Sequence, residues 1–355
     1  MKSLYNYTLS ELQQEMVELN QKPYRASQIY SWLYQKRVKN IDDMSDISAS
    51  FREVLKNEYS MKLPEVIKEQ VSYDGTVKML LELEDKSSVE TVLMRYDYGN
   101  AICVSSQVGC NMGCKFCASG LIKKQRDLDA SEMILQVMKM QEYLDKEGKG
   151  ERVSHIVIMG SGEPFDNYEK VMRFIRIANE AKGLAIGARH ITVSTSGIAP
   201  KIVEYSKEGL QVNLAISLHA SNNETRNKLM PINKAYSLDK LFDAIREYCT
   251  NADRRVTIEY ILLKGINDSL KNADELADLL KGIFAYVNLI PYNEVEENEF
   301  KRSDKQSVRA FYERLKNRGV NVTIRKEFGS DIDAACGQLR AKKEGVISDW
   351  CIKEW

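Results

Sequence analysis

Three closely spaced cysteines are the residues of this sequence whose types and spacing are most suited to chemistry. Cys110, Cys114 and Cys117 stand in the segment CNMGCKFC, a CxxxCxxC pattern. Three thiolates in one short loop can hold one face of a 4Fe-4S cluster. Because three ligands leave one iron open, that iron can chelate the amino and carboxylate groups of S-adenosylmethionine and pass an electron to its sulfonium. The spacing therefore predicts a cluster site that binds this cofactor.

Two simpler interpretations of the cysteines compete with a cluster. Structural zinc requires four ligands, and no histidine stands near the cysteine segment in the sequence. Three cysteines could also be small buried apolar residues of a core. The pattern follows a predicted strand, where active sites of α/β proteins lie, and this position favours the cluster.

Polar residues follow several later strands and could bind the cofactor. Glu163 stands in the glycine-rich run MGSGEP, and its carboxylate could accept hydrogen bonds from an ammonium group. Ser194, the Ser217-Leu218-His219 run and Asn293 stand at three further strand ends. Carboxyl ends of parallel strands share one edge of a barrel, so these groups could reach the ribose, the adenine and the methionine carboxylate. Each could equally be a helix cap, a turn residue or, for His219, a structural histidine.

Cys336 is flanked by small residues in AACGQ, and Cys103 begins the run CVSSQVGC. A late, isolated cysteine is more often a small buried apolar residue. Small neighbours would instead permit an accessible thiol, for which Cys103 could be the partner. The sequence alone does not establish that pairing.

The elements that must position these residues form a repeating pattern. Short apolar runs alternate with helical stretches six times after residue 100, which predicts parallel strands with right-handed crossovers. We expect an α/β fold: a partial (βα)6 TIM-like barrel, with a doubly wound sheet as the alternative. The expected units are an N-terminal helical, RNA-binding module (1–64), an antiparallel β extension (65–98), the barrel (99–330) and a C-terminal segment carrying Cys336 (331–355).

Composition sets broad limits on function. The 355 residues include 51 basic and 51 acidic side chains, so a nucleic-acid partner would require locally concentrated basic residues. Seven cysteines, an odd number, argue against a disulfide framework. No run approaches the roughly 20 apolar residues of a membrane helix, and the N-terminal residues lack a signal-like apolar region. We therefore expect a cytoplasmic protein with no membrane partner, acting as a monomer.

These motifs together resemble a known family. The chain resembles the dual-specificity RNA methyltransferases of the RlmN type along essentially its whole length. The segments that carry the resemblance are PYRASQIYSWLY, CVSSQVGCNMGCKFCASG, GSGEP, ITVSTSG, LAISLHA, MPIN, VTIEYILLKGIND, VNLIPYN and DIDAACGQL. One departure is Ser161, where relatives usually carry Met.

The resemblance implies a site and a reaction. Cys110, Cys114 and Cys117 would hold the 4Fe-4S cluster. The residues implied to bind S-adenosylmethionine are Gly162, Glu163, Ser194, Ser217, Leu218, His219 and Asn293. Cys336 would accept a methyl group from one S-adenosylmethionine, and a radical made from a second would activate that group for addition to adenine carbon-2. Cys103 would then attack Cys336 to form a transient disulfide, and Glu90 would accept a proton.

The resemblance also implies the partners. These are 23S rRNA, modified at the peptidyl transferase centre when naked or in an assembling large subunit, then tRNA, and an electron donor such as flavodoxin. Two other functions stay open at this point. One is methylation at adenine carbon-8, which related resistance enzymes perform, and the other is a non-catalytic RNA-binding assembly factor with an iron–sulfur or zinc centre.

Overall fold

The computed structural model describes residues 1–294, 299–333, 337–343 and 345. Within these ranges the chain forms fourteen strands and eleven α-helices. The strands are β1 (Lys2–Ser3), β2 (Tyr59–Ser60), β3 (Glu65–Val71), β4 (Val77–Glu82), β5 (Ser88–Tyr96), β6 (Gly99–Cys103), β7 (Gln107–Val108), β8 (Arg126–Asp127), β9 (Val153–Ile158), β10 (Ile191–Thr195), β11 (Asn213–Ser217), β12 (Val256–Leu262), β13 (Ala285–Pro291) and β14 (Val322–Ile324). The helices are α1 (Leu9–Glu18), α2 (Tyr24–Tyr30), α3 (Ala49–Glu58), α4 (Ala130–Glu147), α5 (Tyr168–Asn179), α6 (Ala199–Tyr205), α7 (Asn223–Leu229), α8 (Leu238–Ala252), α9 (Leu270–Leu279), α10 (Lys305–Asn317) and α11 (Gln338–Lys343).

The N-terminal helices pack around buried aromatic side chains. Helix α1 starts with a capping box, in which the Thr8 hydroxyl accepts the Glu11 N–H and the Glu11 carboxylate accepts the Thr8 N–H. Helix α2 continues as a π-helical turn over Ser31–Lys36. Trp32 and Tyr34 in that turn are only 8% and 2% exposed. These rings therefore belong to the core and are not free to stack on bases.

The antiparallel extension is continuous with the parallel part of the sheet. Strands β3, β4, β5 and β6 pair in succession, all antiparallel, and β6 then pairs with β9 in parallel. A turn that contains Asp74 and Gly75 joins β3 to β4. Gly75 has a φ of 82°, a left-handed conformation that glycine adopts without strain. The extension therefore lies beside the first strand of the barrel.

The parallel strands follow one another in the order β6-β9-β10-β11-β12-β13-β14. A doubly wound sheet reverses its strand order at a switch point, and this order never reverses. In the described residues β14 and β3 end the ten-stranded sheet without pairing with each other, so the barrel is open. The predicted partial barrel is confirmed, and the doubly wound alternative is wrong.

The barrel strands are covered on both faces. Leu214, Ala215 and Ile216 of β11 are all fully buried, although successive side chains of a strand point to opposite faces. This explains the nearly continuous apolar runs in the sequence. Among the described residues, no helix is both long enough and apolar enough to cross a membrane.

Candidate active site

A cavity of about 340 Å³ opens at the carboxyl edge of the parallel strands. It brings together most of the described site residues that the sequence predicted. Its lining includes Cys103, Cys110, Cys114, Cys117, Gly162, Glu163, Ser194, Ser217, His219 and Asn293. Two predicted residues within the described ranges, Leu218 and Glu90, are not part of this wall.

The cysteine loop begins after β7 and folds back on itself. Gly109 has a φ of 82°, and a Cβ there would lie 2.2 Å from the carbonyl oxygen of Lys123, so only glycine fits. The Cys110 N–H donates to the Ile122 carbonyl at 3.0 Å and closes the loop. Burial raises the pKa of the Cys110 thiol to about 12 and that of Cys114 well above its ordinary value. Binding iron therefore displaces protons from these thiols.

The donor set fits an iron–sulfur cluster. Among the described residues, no three His, Cys, Asp or Glu side chains converge on a single metal ion. Cys110, Cys114 and Cys117 instead share the wall of one cavity. A four-iron cube is larger than one ion, so its thiolate ligands surround a space rather than meet at a point. When bound, the cluster would be held by these three thiolates.

Glu163 occupies a buried position in the loop that follows β9. Gly162 before it has a φ of 107°, and a Cβ there would lie 2.6 Å from the Cβ of Gln107. The Glu163 carboxylate accepts the N–H groups of Phe165 at 3.0 Å and Ser196 at 2.7 Å. Burial raises its pKa, and these hydrogen bonds oppose the shift. A carboxylate has about four acceptor positions, so it can still receive an ammonium group.

Ser161 makes its contacts through the backbone. Its N–H donates to the Ser105 hydroxyl at 3.0 Å, and its carbonyl accepts the N–H groups of Ser106 and Gln107. These contacts do not depend on the side chain. The serine that stands in place of the usual Met therefore preserves the join between β9 and the segment before the cysteine loop.

The ends of β10 and β11 present two hydroxyls to the cavity. The hydroxyls of Ser194 and Ser217 lie 3.4 Å apart. Leu218 is fully buried, and its N–H donates to the Glu259 carbonyl at 3.1 Å. Leu218 therefore supports the wall rather than forming it.

His219 is a neutral donor in the cavity wall. Its Nδ1 accepts the Ile261 N–H at 3.1 Å, so the ring proton lies on Nε2. Burial, with the nearby charge of Arg226, lowers the pKa of His219 to about 3. The ring packs edge-on against Phe116 of the cysteine loop, with centroids 4.9 Å apart. His219 therefore remains neutral at physiological pH and positions that loop.

Arg226 on α7 is a site residue that sequence reasoning missed. Its guanidinium donates to the carbonyls of Ser196 at 2.7 Å and Leu218 at 3.1 Å, and to the Asn233 amide oxygen at 2.9 Å. The side chain is fully buried, and burial lowers its pKa to about 10. Arg226 thereby ties the ends of β10 and β11 together. An isolated arginine on a short helix has no motif that could have revealed this role.

Replacing Arg226 with methionine is expected to lower the free energy of unfolding by about 3 kcal/mol, because buried carbonyls lose their donors. Urea denaturation measures this loss. Arg246→Met is the matched control, since Arg246 on α8 is exposed and pairs with Asp243 at 3.0 Å. That change should cost at most about 0.5 kcal/mol. Equal denaturation midpoints for the two variants would contradict the role of Arg226.

Glu259 on β12 is a second missed residue. It is 4% exposed, lines the cavity with Arg325, and accepts the Asn288 amide at 2.9 Å. Burial raises its pKa, and Arg325 opposes that shift. Its signal in the sequence is an acidic residue inside the apolar run VTIEYILL, because buried carboxylates are rare unless they are paired or functional.

The two residues expected to act beside Cys336 lie in different surroundings. Cys103, at the end of β6, faces the cavity from an apolar wall with Val92 and Met94. Glu90, two positions before Val92 on β5 and therefore on the same face of that strand, accepts the Gly337 N–H of the C-terminal segment at 2.7 Å. Cys336 lies outside the described residues, and its pairing with Cys103 stays a prediction.

A partial parallel barrel with three CxxxCxxC thiols at its carboxyl edge defines the class of radical S-adenosylmethionine enzymes. The Radical SAM superfamily model matches residues 104–279, and the model for the ribosomal RNA large subunit methyltransferase N-terminal domain matches residues 2–61. The family within that class is identified by relatives that match this chain over nearly its whole length.

The chain is 55% identical to the probable dual-specificity RNA methyltransferase RlmN of Streptococcus pyogenes, over 96% of each chain. The protein of the same name from Streptococcus equi subsp. zooepidemicus is 56% identical, over 96% of this chain and 95% of the relative. A crystal structure of a radical SAM methyltransferase from Sphaerobacter thermophilus is 41% identical and superposes with a TM-score of 0.91, over 95% of this chain and 99% of the other.

The chain therefore belongs to the RlmN family of dual-specificity RNA methyltransferases. The predicted family, fold class and enzyme class are confirmed. The predicted cofactors, a 4Fe-4S cluster and S-adenosylmethionine, are those of the radical SAM family and are confirmed with it. The non-catalytic assembly factor is no longer a competing interpretation.

Proposed function

We propose that this chain methylates carbon-2 of an adenosine in 23S rRNA and in tRNA, with Cys336 as the carrier of the methyl group. The observation that carries the proposal is the shared cavity of Cys103 and the three cysteines of the loop. This cavity places the Cys103 thiol, which is not a predicted cluster ligand, beside the three cysteines that would bind the cluster. A carrier mechanism requires such an additional thiol to release the product. Membership of the RlmN family supports the same reaction.

The cofactor-binding residues have complementary roles in this proposal. When bound, the cluster and S-adenosylmethionine supply the methyl group and the reducing chemistry that generates a radical. Glu163 accepts the ammonium group, with Gly162 leaving room for close approach. Ser194, Ser217 and Asn293 offer polar contacts, and His219 donates from Nε2. Leu218 holds the end of β11 in place.

The carrier chemistry uses the other two cysteines. The Cys336 sulfur accepts a methyl group, and the carbon of that group later forms the bond to adenine carbon-2. Carbon-2 is not nucleophilic, so a carbon radical can bond to it where direct attack on a sulfonium would fail. Addition leaves a radical, which would lose the carbon-2 proton and return the electron that was used to cleave S-adenosylmethionine. The Cys103 thiol then attacks the Cys336 sulfur, the carbon–sulfur bond breaks, the methyl-derived carbon takes up the thiol proton and a disulfide remains. Glu90 accepts the proton that leaves carbon-2.

The remaining partners belong to the same proposal. Lys115 and Lys123 are exposed on and beside the cysteine loop. This positive surface suits an acidic electron donor such as flavodoxin. Arg325 and Lys326 line the cavity and could contact RNA phosphates. We propose that the enzyme acts as a monomer.

Analysis of the modified nucleoside tests the proposal. Unmodified 23S rRNA is incubated with reconstituted enzyme, S-adenosylmethionine and a reductant, then digested and separated by mass spectrometry. We expect 2-methyladenosine as the product. The same reaction without S-adenosylmethionine is the control. Formation of 8-methyladenosine instead would overturn the assignment of carbon-2, and tRNA tested in parallel decides whether it is also a substrate.

A further inference from the structure

The antiparallel extension contacts the chain on both sides of Cys336. Strands β3, β4 and β5 lie beside residues 329–333 and residues 337–340, which flank the three undescribed positions. We propose that this extension is a clamp that positions the Cys336 segment against the cysteine loop, with Lys78 at its centre. The inference rests on the proposed role of Cys336 as the methyl carrier.

The tip of the extension holds the upstream flank. The Asp331 carboxylate accepts the Ser72 hydroxyl and, at 3.2 Å, the Tyr73 N–H. The Asp74 carboxylate accepts the Gly329 N–H at 2.8 Å. These contacts join a turn to a segment more than 250 positions later in the chain. They orient the chain as it approaches Cys336.

Closer to Cys336, Gln70 pairs with Asp333 in both directions. The Gln70 amide donates to the Asp333 carboxylate at 3.0 Å, and its oxygen accepts the Asp333 N–H at 3.2 Å. The Lys78 ammonium donates to the Asp333 carbonyl. The last described residue before Cys336 is therefore held through its side chain and both of its backbone groups.

Glu90 holds the downstream flank. Its carboxylate accepts the N–H of Gly337 at 2.7 Å and the N–H of Arg340 at 2.5 Å. The first of these groups belongs to the peptide bond that joins Cys336 to Gly337. Acceptance by a carboxylate at the start of α11 also suits the free N–H groups of a helix terminus. Glu90 is 5% exposed, so water competes little for these bonds.

Lys78 links the two flanks. Its ammonium is fully buried and pairs with the Glu90 carboxylate at 2.9 Å while it donates to Asp333. A buried ammonium is strongly unfavourable without such partners. The Lys78 ammonium therefore stabilises both the Glu90 carboxylate, which holds the downstream flank, and the Asp333 carbonyl of the upstream flank.

The C-terminal segment packs closely against the end of the cysteine loop at Gly337. Gly337 has a φ of 83°, and a Cβ there would lie 2.4 Å from the backbone nitrogen of Ser119. Ser119 belongs to the turn over Ala118–Leu121, which directly follows Cys117. Gly337, the covalent neighbour of Cys336 in the sequence, is therefore held directly against the cysteine loop. The glycine of the AACGQ motif is needed for this close approach.

Lys78→Met tests the clamp, because it removes the ammonium but keeps a side chain of similar length. Lys86→Met is the matched control, since Lys86 is exposed and pairs only with Glu82 among the contacts described, at 2.7 Å. Hydrogen exchange is followed by mass spectrometry in peptides covering 329–343 and in α4 as an internal reference. We expect faster exchange in the peptides covering 329–343 of Lys78→Met, with no change in α4 and no change in Lys86→Met.

The coupling between cleavage of S-adenosylmethionine and methylation of RNA gives a second measurement of the clamp. A misplaced carrier should waste radicals, so the ratio of 5′-deoxyadenosine to methylated adenosine should rise about 100-fold in Lys78→Met at unchanged iron content. Lys78→Arg, which keeps the charge, should restore part of the coupling. A merely structural role would instead lower iron content, 5′-deoxyadenosine and methylation together, and that result would overturn the proposal.

Gln70→Ala is the milder second variant if Lys78→Met folds poorly. It removes the pair with Asp333 at a partly exposed position, and we expect the same directions of change. Unchanged exchange and coupling in this variant would also overturn the clamp. Failure of the proposed function is distinguishable, because it would appear in the unaltered enzyme as 8-methyladenosine or as no methylation, while the exchange measurement still reports on the clamp.

Discussion

Cys114→Ala is expected to reduce the iron content of the reconstituted protein from about four atoms per chain to background. The Cys114 thiol is one of the three thiols that the cysteine loop contributes to the cavity wall, and two thiolates do not hold the cluster on their own. Without the cluster, no electron reaches S-adenosylmethionine. We therefore also expect formation of 5′-deoxyadenosine and RNA methylation to fall to background, as measured by iron analysis and chromatography.

The matched control for this prediction is Cys249→Ala. Cys249 lies on α8, away from the cavity wall, and its thiol approaches the Phe284 carbonyl at 3.9 Å. Loss of this half-buried thiol should leave iron content and turnover close to those of the unaltered enzyme. If Cys114→Ala retained a full complement of iron, the assignment of the cluster ligands would be wrong.

Cys103→Ala is expected to trap the enzyme on its RNA. In the proposed reaction, the methyl-derived carbon joins the Cys336 sulfur to adenine until the Cys103 sulfur displaces it. With no thiol at position 103, that carbon–sulfur bond persists. We expect most of the RNA bound in a single turnover to migrate as a covalent protein–RNA adduct on a denaturing gel, with released methylated RNA reduced to background.

Two further variants test the order of events. Cys336→Ala should form no adduct and no methylated RNA, because it lacks the carrier sulfur. The double variant lacking both Cys103 and Cys336 should behave in the same way. Cys249→Ala should release its product normally. Repeated turnover by Cys103→Ala, with no adduct, would show that Cys103 does not release the product.

The strand and helix pattern of the barrel was predictable because it is local. Apolar runs such as NLAIS, ended by polar residues, identify strands buried on both faces, and β11 has that burial. The parallel order then follows from short connections and right-handed crossovers. What the pattern did not reveal is that the antiparallel strands join the same sheet and reach the C-terminal segment.

Some residues of the candidate site were predictable from the sequence, and others were not, for a similar reason. Cysteines in one short loop, and polar residues after successive strands, are visible because covalent spacing and parallel strand ends bring them together. Arg226 and Glu259 were missed, although both are deeply buried beside the cavity. Their importance depends on which carbonyls and charges surround them, and a pattern along the chain contains no such information.

The sequence by itself determined the chemistry of the cysteine loop, since three thiols within eight residues must lie close together in any fold. It also determined the family, because the motifs extend along the whole chain. Only the tertiary structure decided what Glu90 and Lys78 contact. The Glu90 carboxylate and the Gly337 N–H are 247 positions apart, and they meet only because α11 packs against β5 of the antiparallel extension and against the turn that follows the cysteine loop. Contacts of that range depend on how the strands assemble, which no local spacing specifies.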